Sequence, residues 1–308
     1  MAGWQQSHWG YGDVHALQQM VEEYSAAHIP LEVVWSDVDY MDGLEDFTLD
    51  PINFAKPQLD AFLDTLHSNG QKYVLILDPG IKIDPSYAPY SAGLSADVFV
   101  KNIEGRPYIG QVWVGPSVWP DFLHPNATSY WTSFLGSFHD TVAYDGIWID
   151  MNEPSNFCSG PLCSISPSGP CPPGGAIISK TPECCLQCNI TRSTRHDVPP
   201  FAINHMGDER ALGWKTIAMS AVHFGGVLAY DAHNLYGLTE AMATSTALRS
   251  VSQKRPFVLS RSTFPGSGAH TAHWTGDNAA SWEDLRFSIV QVLNFGLFGI
   301  PMVGADIW

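Results

Sequence analysis

The stretch Gly146-Ile147-Trp148-Ile149-Asp150-Met151-Asn152-Glu153-Pro154 decides the fold class. Residues 146–149 have strand character, and the Asn-Glu-Pro that follows ends regular pairing, because proline brings no ladder donor. Asp150 is thereby delivered to the C-terminal end of a strand. A parallel barrel presents its chemistry there rather than packing its core. A second acid in a similar setting stands far downstream, in His273-Trp274-Thr275-Gly276-Asp277-Asn278.

Working outward, the chain alternates helix and strand signals. Asp13 is placed to cap a helix that carries Val14, Leu17, Met20, Val21 and Tyr24 on one face. Residues 31–35 then read as a buried strand, and Asp37 and Asp39 follow at its end. A second helix from Pro57 gathers Leu59, Phe62, Leu63 and Leu66 and stops at Asn69-Gly70. Residues 73–77 form the next strand, ended by Asp78-Pro79. A longer connection through Trp113 and Trp119 leads to a helix over 126–141. Beyond the decisive stretch, residues 155–230 break the rhythm with Cys, Pro and Gly. It returns with a helix near 237–250, a strand at 256–259, a helix near 282–294 and a strand at Met302-Val303.

Each strand is an apolar run rather than an alternation, as a parallel sheet buried on both faces requires. Repeated strand–helix units with acids at successive strand ends favour an α/β fold of the (β/α)8 TIM-barrel type over a doubly wound sheet. The chain is read as one barrel domain over 1–308, with residues 155–230 inserted within it. One more strand and helix are expected beyond its C-terminus, so the barrel is read as incomplete there.

Composition narrows the partners. The 308 residues carry 15 basic against 31 acidic side chains, a net charge of −16. Such a surface repels phosphate backbones and anionic lipid, which argues against nucleic-acid and membrane partners. No apolar run is long enough to span a bilayer. A neutral ligand such as a sugar suits the charge better. The start, Met1-Ala2-Gly3-Trp4-Gln5-Gln6, has neither the basic nor the apolar region of a signal peptide.

The cysteines nevertheless point to the secretory pathway. Cys158, Cys163, Cys171, Cys184, Cys185 and Cys188 all fall in one loop rich in Gly, Pro and Ser, which reads as a disulfide-stapled segment. Zinc is the rival through the spacing of Cys185 and Cys188, but a clear second pair is lacking. The 15 possible pairings of six cysteines stay open. Two sequons, Asn126-Ala-Thr and Asn189-Ile-Thr, agree with secretion. To reconcile disulfides with the missing leader, the chain is read as a fragment of a secreted or lysosomal protein.

Two carboxylates at a barrel mouth, among many tryptophans, suit cleavage of a glycosidic bond. One attacks the sugar's reactive carbon while the other protonates the departing oxygen. Asp150 is the better nucleophile because its strand holds it rigidly. Asp277 is the better acid: Gly276 permits close backbone approach, and Trp274 is placed to dry the carboxyl and raise its pKa. An ionised Asp150 beside a protonated Asp277 predicts an acidic working range. The plain alternative is that strand-end aspartates cap helices or pair with arginine. Asp37-Val-Asp39 starts like a calcium loop, but the required glycine and later ligands are misplaced, so neither metal nor cofactor is called for.

Trp148-Ile-Asp-Met-Asn-Glu-Pro-Ser155 resembles the nucleophile signature of glycoside hydrolase family 31, the family of eukaryotic α-glucosidases. Arg261-Ser-Thr-Phe-Pro-Gly266 with His273-Trp-Thr-Gly-Asp277 resembles its second signature. The similarity continues through Trp35-Ser-Asp-Val-Asp-Tyr-Met-Asp42, Leu77-Asp-Pro79, Asp231-Ala-His-Asn-Leu-Tyr236 and Val303-Gly-Ala-Asp306, covering nearly the whole chain.

The resemblance implies that Asp150 is the nucleophile and Asp277 the acid and base. It implies that Asp37 and Arg261 grip hydroxyls of the sugar, with Asp78 beside them. Trp35, Ile76, Trp113, Trp148, Met151 and Trp274 would form apolar walls, and Asp306 would lie at the rear of the pocket. The activity implied is a retaining exo-α-glucosidase acting on maltose-like oligosaccharides. An α-xylosidase, a glycoprotein-processing glucosidase, an inactive fragment and a carbohydrate-binding relative are the alternatives. The family's flanking β-rich domains, and a sugar-contacting histidine with an aromatic beside it, would lie outside these 308 residues.

Overall fold

The computed structural model describes residues 1, 3–165, 184–201 and 212–307. Its frame is a seven-stranded, wholly parallel sheet of β1 (Gln5–Gln6), β2 (Val33–Ser36), β3 (Lys72–Leu77), β7 (Gly146–Ile149), β10 (Val258–Ser260), β11 (Ala272–Trp274) and β12 (Val303–Gly304). Spatial order follows chain order, as in a barrel. The edge strands β1 and β12 do not pair with each other, so the barrel is open.

Helices form where capping and periodicity call for them. In α1 (Val14–Ala26) Asp13 Oδ1 accepts from the Ala16 amide at 2.7 Å, and Val14, Leu17 and Met20 are buried. In α2 (Lys56–Ser68) Pro57 sits in the first turn, and Leu59, Phe62, Leu63 and Leu66 face the core. Short α3 (Ala88–Ser95) precedes α4 (Ala127–His139). After α5 (Ala229–Ala232), α6 (Tyr236–Ser252) packs along α4, where Trp131 Nε1 donates to Thr244 Oγ1 at 2.9 Å. The last helix, α7 (Trp282–Leu297), buries none of its residues.

The strand expected over 31–35 is observed two residues later, because Leu31 packs in the core before pairing begins. Two features lie outside the sequence expectation. The long connection after β3 holds a small antiparallel sheet of β4 (Ile81–Lys82), β6 (Gly115–Val118) and β5 (Gly110–Val112). A paired strand also forms at Ala272–Trp274.

Within the cysteine-rich segment, β8 (Cys163–Ser164) and β9 (Gln187–Cys188) form an antiparallel pair. Disulfides join Cys158 to Cys184 and Cys163 to Cys188, and Cys185 is also disulfide-bonded. Among the described residues one group has metal-ligand spacing, Cys158, Cys184 and Cys188, and all three sulfurs are bound in these bridges. That removes the basis for zinc. Cys171 lies outside the described residues. No described helix is long and apolar enough to cross a membrane.

Candidate active site

The C-terminal ends of β2, β3, β7, β11 and β12 carry the acids singled out in the sequence, and that of β10 carries Arg261. Parallel pairing sets their level: the Asp150 amide donates to Leu77 O at 3.0 Å, and the Arg261 amide donates to Ile149 O. The chain turns sharply after Asp150. Met151 adopts a left-handed φ of 53°, a conformation that costs a non-glycine residue free energy. Its side chain is buried, with its sulfur 3.1 Å from Arg261 Nη2.

Arg261 is the electrostatic centre. Its Nη1 lies 3.0 Å from Asp150 Oδ1, while Nε and Nη2 reach Glu153 Oε1 and Oε2 at 2.8 and 3.1 Å. One guanidinium thus holds two carboxylates in a fork that an ammonium cannot reproduce. Burial pushes Glu153 upward, but the bond to Arg261 outweighs it and leaves the group below the usual carboxylate range. For Asp150 the balance reverses. Its side chain is 13% exposed, and burial pushes it up to about 7 against the pull of Arg261.

Asp37, at the end of β2, accepts from the Val38 amide at 2.6 Å; burial raises it to about 6, and Asp39 and Asp277 add to that. Asp78 is buried, and its amide donates to Asp46 Oδ1 at 2.9 Å. Burial and the mutual repulsion of two carboxyls hold Asp78 well above the ordinary range. Asp277 is close enough to Asp37, Arg261 and Asp306 to act on the charge of each. Burial raises Asp306 to about 6, and Asp277 adds to the rise.

Asp277 itself is exposed. The dry setting that the sequence suggested for it is found around Asp150 instead, because Trp274 turns inward to Trp148. Gly276, at φ 80°, carries the chain past the Arg261 side chain.

Trp35, Trp148 and Trp274 form an edge-on series in the barrel interior, with centroids 6.1 and 5.4 Å apart. The indole N–H groups of Trp35 and Trp148 are buried without an acceptor among the described residues. Ile76 is buried within the core, beneath the mouth. Trp113 is half-buried between Phe157 and Trp9, at 4.9 and 6.2 Å.

Glu153, Asp46 and Trp9 were not recognised as site residues from sequence. Glu153 was visible as the acid of Asn-Glu-Pro. Nothing in the sequence around Asp46 marks it as buried against Asp78.

The comparisons with known proteins bear on the family and the fold. The profile of the glycosyl hydrolases family 31 TIM-barrel domain matches residues 1–307. The chain is 50% identical to alpha-xylosidase 1 of Arabidopsis thaliana over 99% of its own length and 33% of that protein. It is 47% identical to an alpha-glucosidase of Hordeum vulgare, with 99% and 32% covered, and 41% identical to the lysosomal alpha-glucosidase of Rattus norvegicus, with 97% and 28% covered. Among solved structures, the glucosidase II alpha subunit superposes with a TM-score of 0.78 at 30% identity, over 99% of this chain and 28% of that one. The chain spans about a third of the length of these relatives. Matched almost end to end by the family's barrel profile, this chain belongs to glycosyl hydrolases family 31.

Proposed function

We propose that the protein containing this chain is a retaining, exo-acting α-glucosidase that releases terminal glucose from maltose-like oligosaccharides. The observation that carries the proposal is the Asp150–Arg261–Glu153 cluster at the end of β7, with Asp277 across the mouth. Asp150 attacks the anomeric carbon to form a glycosyl ester, and Asp277 protonates the departing oxygen. Asp277, then ionised, takes a proton from water as that water cleaves the ester, so the configuration is retained.

Asp37 and Arg261 bind hydroxyls, with Asp78 and Asp306 beside them, and the indoles of Trp35, Trp148 and Trp274 cover the apolar C–H face of the ring. Trp113 and Met151 complete the walls, above Ile76. Residues 1–308 act as the catalytic barrel, with 155–230 as an insertion within it. Bridged cysteines and the exposed sequon residues Asn126 and Asn189 support passage through the secretory pathway.

A second reading is favoured by one observation, the 50% identity to a protein named alpha-xylosidase 1. The two activities share this machinery and differ in how they accommodate the sugar's sixth carbon. The full-length protein is therefore assayed on nitrophenyl α-glucoside and α-xyloside. Faster glucoside turnover is expected, and preference for the xyloside would replace the first reading with the second. In the same assay Asp150→Asn is expected to lower kcat by about 10⁴-fold with the fold intact. Near-normal turnover would reject Asp150 as the nucleophile.

A further inference from the structure

The Arg261 guanidinium is not shared evenly between its two carboxylates. Toward Glu153 its Nε and Nη2 donate two hydrogen bonds, 2.8 Å to Oε1 and 3.1 Å to Oε2. That fork is the arrangement in which arginine holds a carboxylate most firmly. Ser155 Oγ donates to Glu153 Oε2 at 2.6 Å and fixes the same carboxylate from a third direction. The remaining contacts of Nη2 are Met151 Sδ at 3.1 Å and Ser155 Oγ at 3.4 Å. Nε and Nη2 are therefore both occupied by the turn that follows β7.

Only Nη1 is left for Asp150. It lies 3.0 Å from Oδ1, yet Oδ1 receives no aligned hydrogen bond from any described residue. The contact is one of charge rather than of directed bonding. Arg261 is docked on Glu153 and leans on Asp150.

The other charged groups nearby leave this competition undisturbed. Asp37, Asp78 and Glu240 act on Asp150, and none of them is a cation. His233 and Glu240 act on Glu153; burial keeps His233 low and so neutral, and holds Glu240 high and so protonated. Among the described residues Arg261 is thus the one cation for which both carboxylates compete.

We propose that Glu153 is a positioning residue: by occupying Nε and Nη2 it restrains Arg261 to a one-armed contact with Asp150 and leaves that carboxylate free to attack. A guanidinium released from Glu153 turns a second arm onto Asp150, and a carboxylate gripped by two N–H groups is a poorer nucleophile. Glu153 itself touches no substrate. The kinetic consequence rests on the function proposed above; the position of Arg261 does not.

The test uses the full-length protein. Glu153→Gln keeps the shape of the side chain but removes its charge and one acceptor. It is expected to lower kcat about tenfold. It should also move the acid limb of kcat/KM to lower pH by about one unit, because Arg261 then pulls on Asp150 alone. In an Arg261→Gln background the same substitution should shift the limb less than half as far, since its effect runs through the guanidinium. A crystal structure of Glu153→Ala should show two arms of Arg261 on Asp150.

A limb that stays in place or rises in Glu153→Gln would overturn the proposal, leaving Glu153 a merely structural partner of Arg261. An equal shift in both backgrounds would also overturn it, by showing that Glu153 acts on Asp150 through its own charge. So would an Arg261 that still meets Asp150 through Nη1 alone in Glu153→Ala. If the parent protein cleaves no glycoside, the functional reading fails, and the position of Arg261 in that structure decides this inference by itself. Should Glu153→Ala not fold, Glu153→Gln and the double variant decide it.

Discussion

Arg261 is shared between Asp150 and Glu153, and the two carboxylates settle on opposite sides of their ordinary pKa as a result. Glu153 takes two of the guanidinium's arms and stays ionised. Asp150 takes one, and its burial prevails. Removing the guanidinium charge by Arg261→Gln therefore raises Asp150 further, since an adjacent opposite charge lowers a carboxyl pKa by about 1–3 units. Below that pKa Asp150 is protonated and cannot attack, so a carboxyl raised to about 7 by burial opposes the acidic working range that the sequence suggested. The acid limb of kcat/KM is thus expected to move to higher pH by about one unit or more, measured as a pH–rate profile on the folded variant. A stationary limb would show that another group controls it.

Sequence reasoning reached Asp150 because it ends an apolar run, and Arg261 through the resemblance of its stretch to the family's second signature. It overrated the dryness of Asp277, because where a tryptophan turns depends on its neighbours in space. Asp46 lay beyond it for the same reason: only the fold sets it against Asp78.

Among elements, α6 approaches the turn after β10 with almost no clearance. A Cβ built on Gly237 would lie 2.4 Å from Ser262 O, well inside van der Waals contact. Gly237→Ala must therefore push the helix away from the turn that flanks Arg261. The expected cost is about 2 kcal/mol of stability, the ordinary scale of overpacking, read from urea unfolding. An unchanged midpoint would mean that the helix shifts freely.

Helices α1 and α2 were legible at this scale because a capping Asp13 and a clear 3.6-residue period act locally. The antiparallel sheet over Ile81–Lys82, Gly110–Val112 and Gly115–Val118 was not. Its strands are two to four residues long and include Pro116, too short for alternation to declare itself. Strand Ala272–Trp274 was hidden by its central His273, whose imidazole is buried against Ser260 O and stacked on Phe295.

At the level of the whole molecule, the acids share one bias. Asp37, Asp46, Asp78, Asp150, Asp306 and Glu240 are all raised by burial in the fold. A raised acid binds its proton more tightly folded than unfolded. Between about pH 4, where the unfolded groups titrate, and about pH 8, the folded chain holds more protons, and stability falls as pH rises. Glu153, Asp50 and Asp84 oppose the trend, as do His233 and His273, which burial lowers, but Asp39 joins the raised acids. The net charge of −16 acts in the same direction as the majority, since self-repulsion eases as acids protonate. Scanning fluorimetry is expected to give a Tm several degrees higher at pH 5 than at pH 7.5. A Tm that climbs toward alkaline pH would contradict the burial of these groups. The barrel class was visible in the sequence from the order of strands and acids; this collective proton affinity was not, because it arises only when the strand ends converge.

Helix α7 has no fully buried residue, and Trp282, Leu285, Ile289, Leu293 and Leu297 all stand open to solvent. Any effort to trim this protein to a minimal soluble catalyst meets that greasy stripe before it meets the chemistry. Purified by itself, the piece would stick to its own copies, to chaperones and to column resin. A designer would have to recolour the stripe with lysine and glutamate, or restore a neighbour over it, before a lost turnover could be blamed on the aspartates.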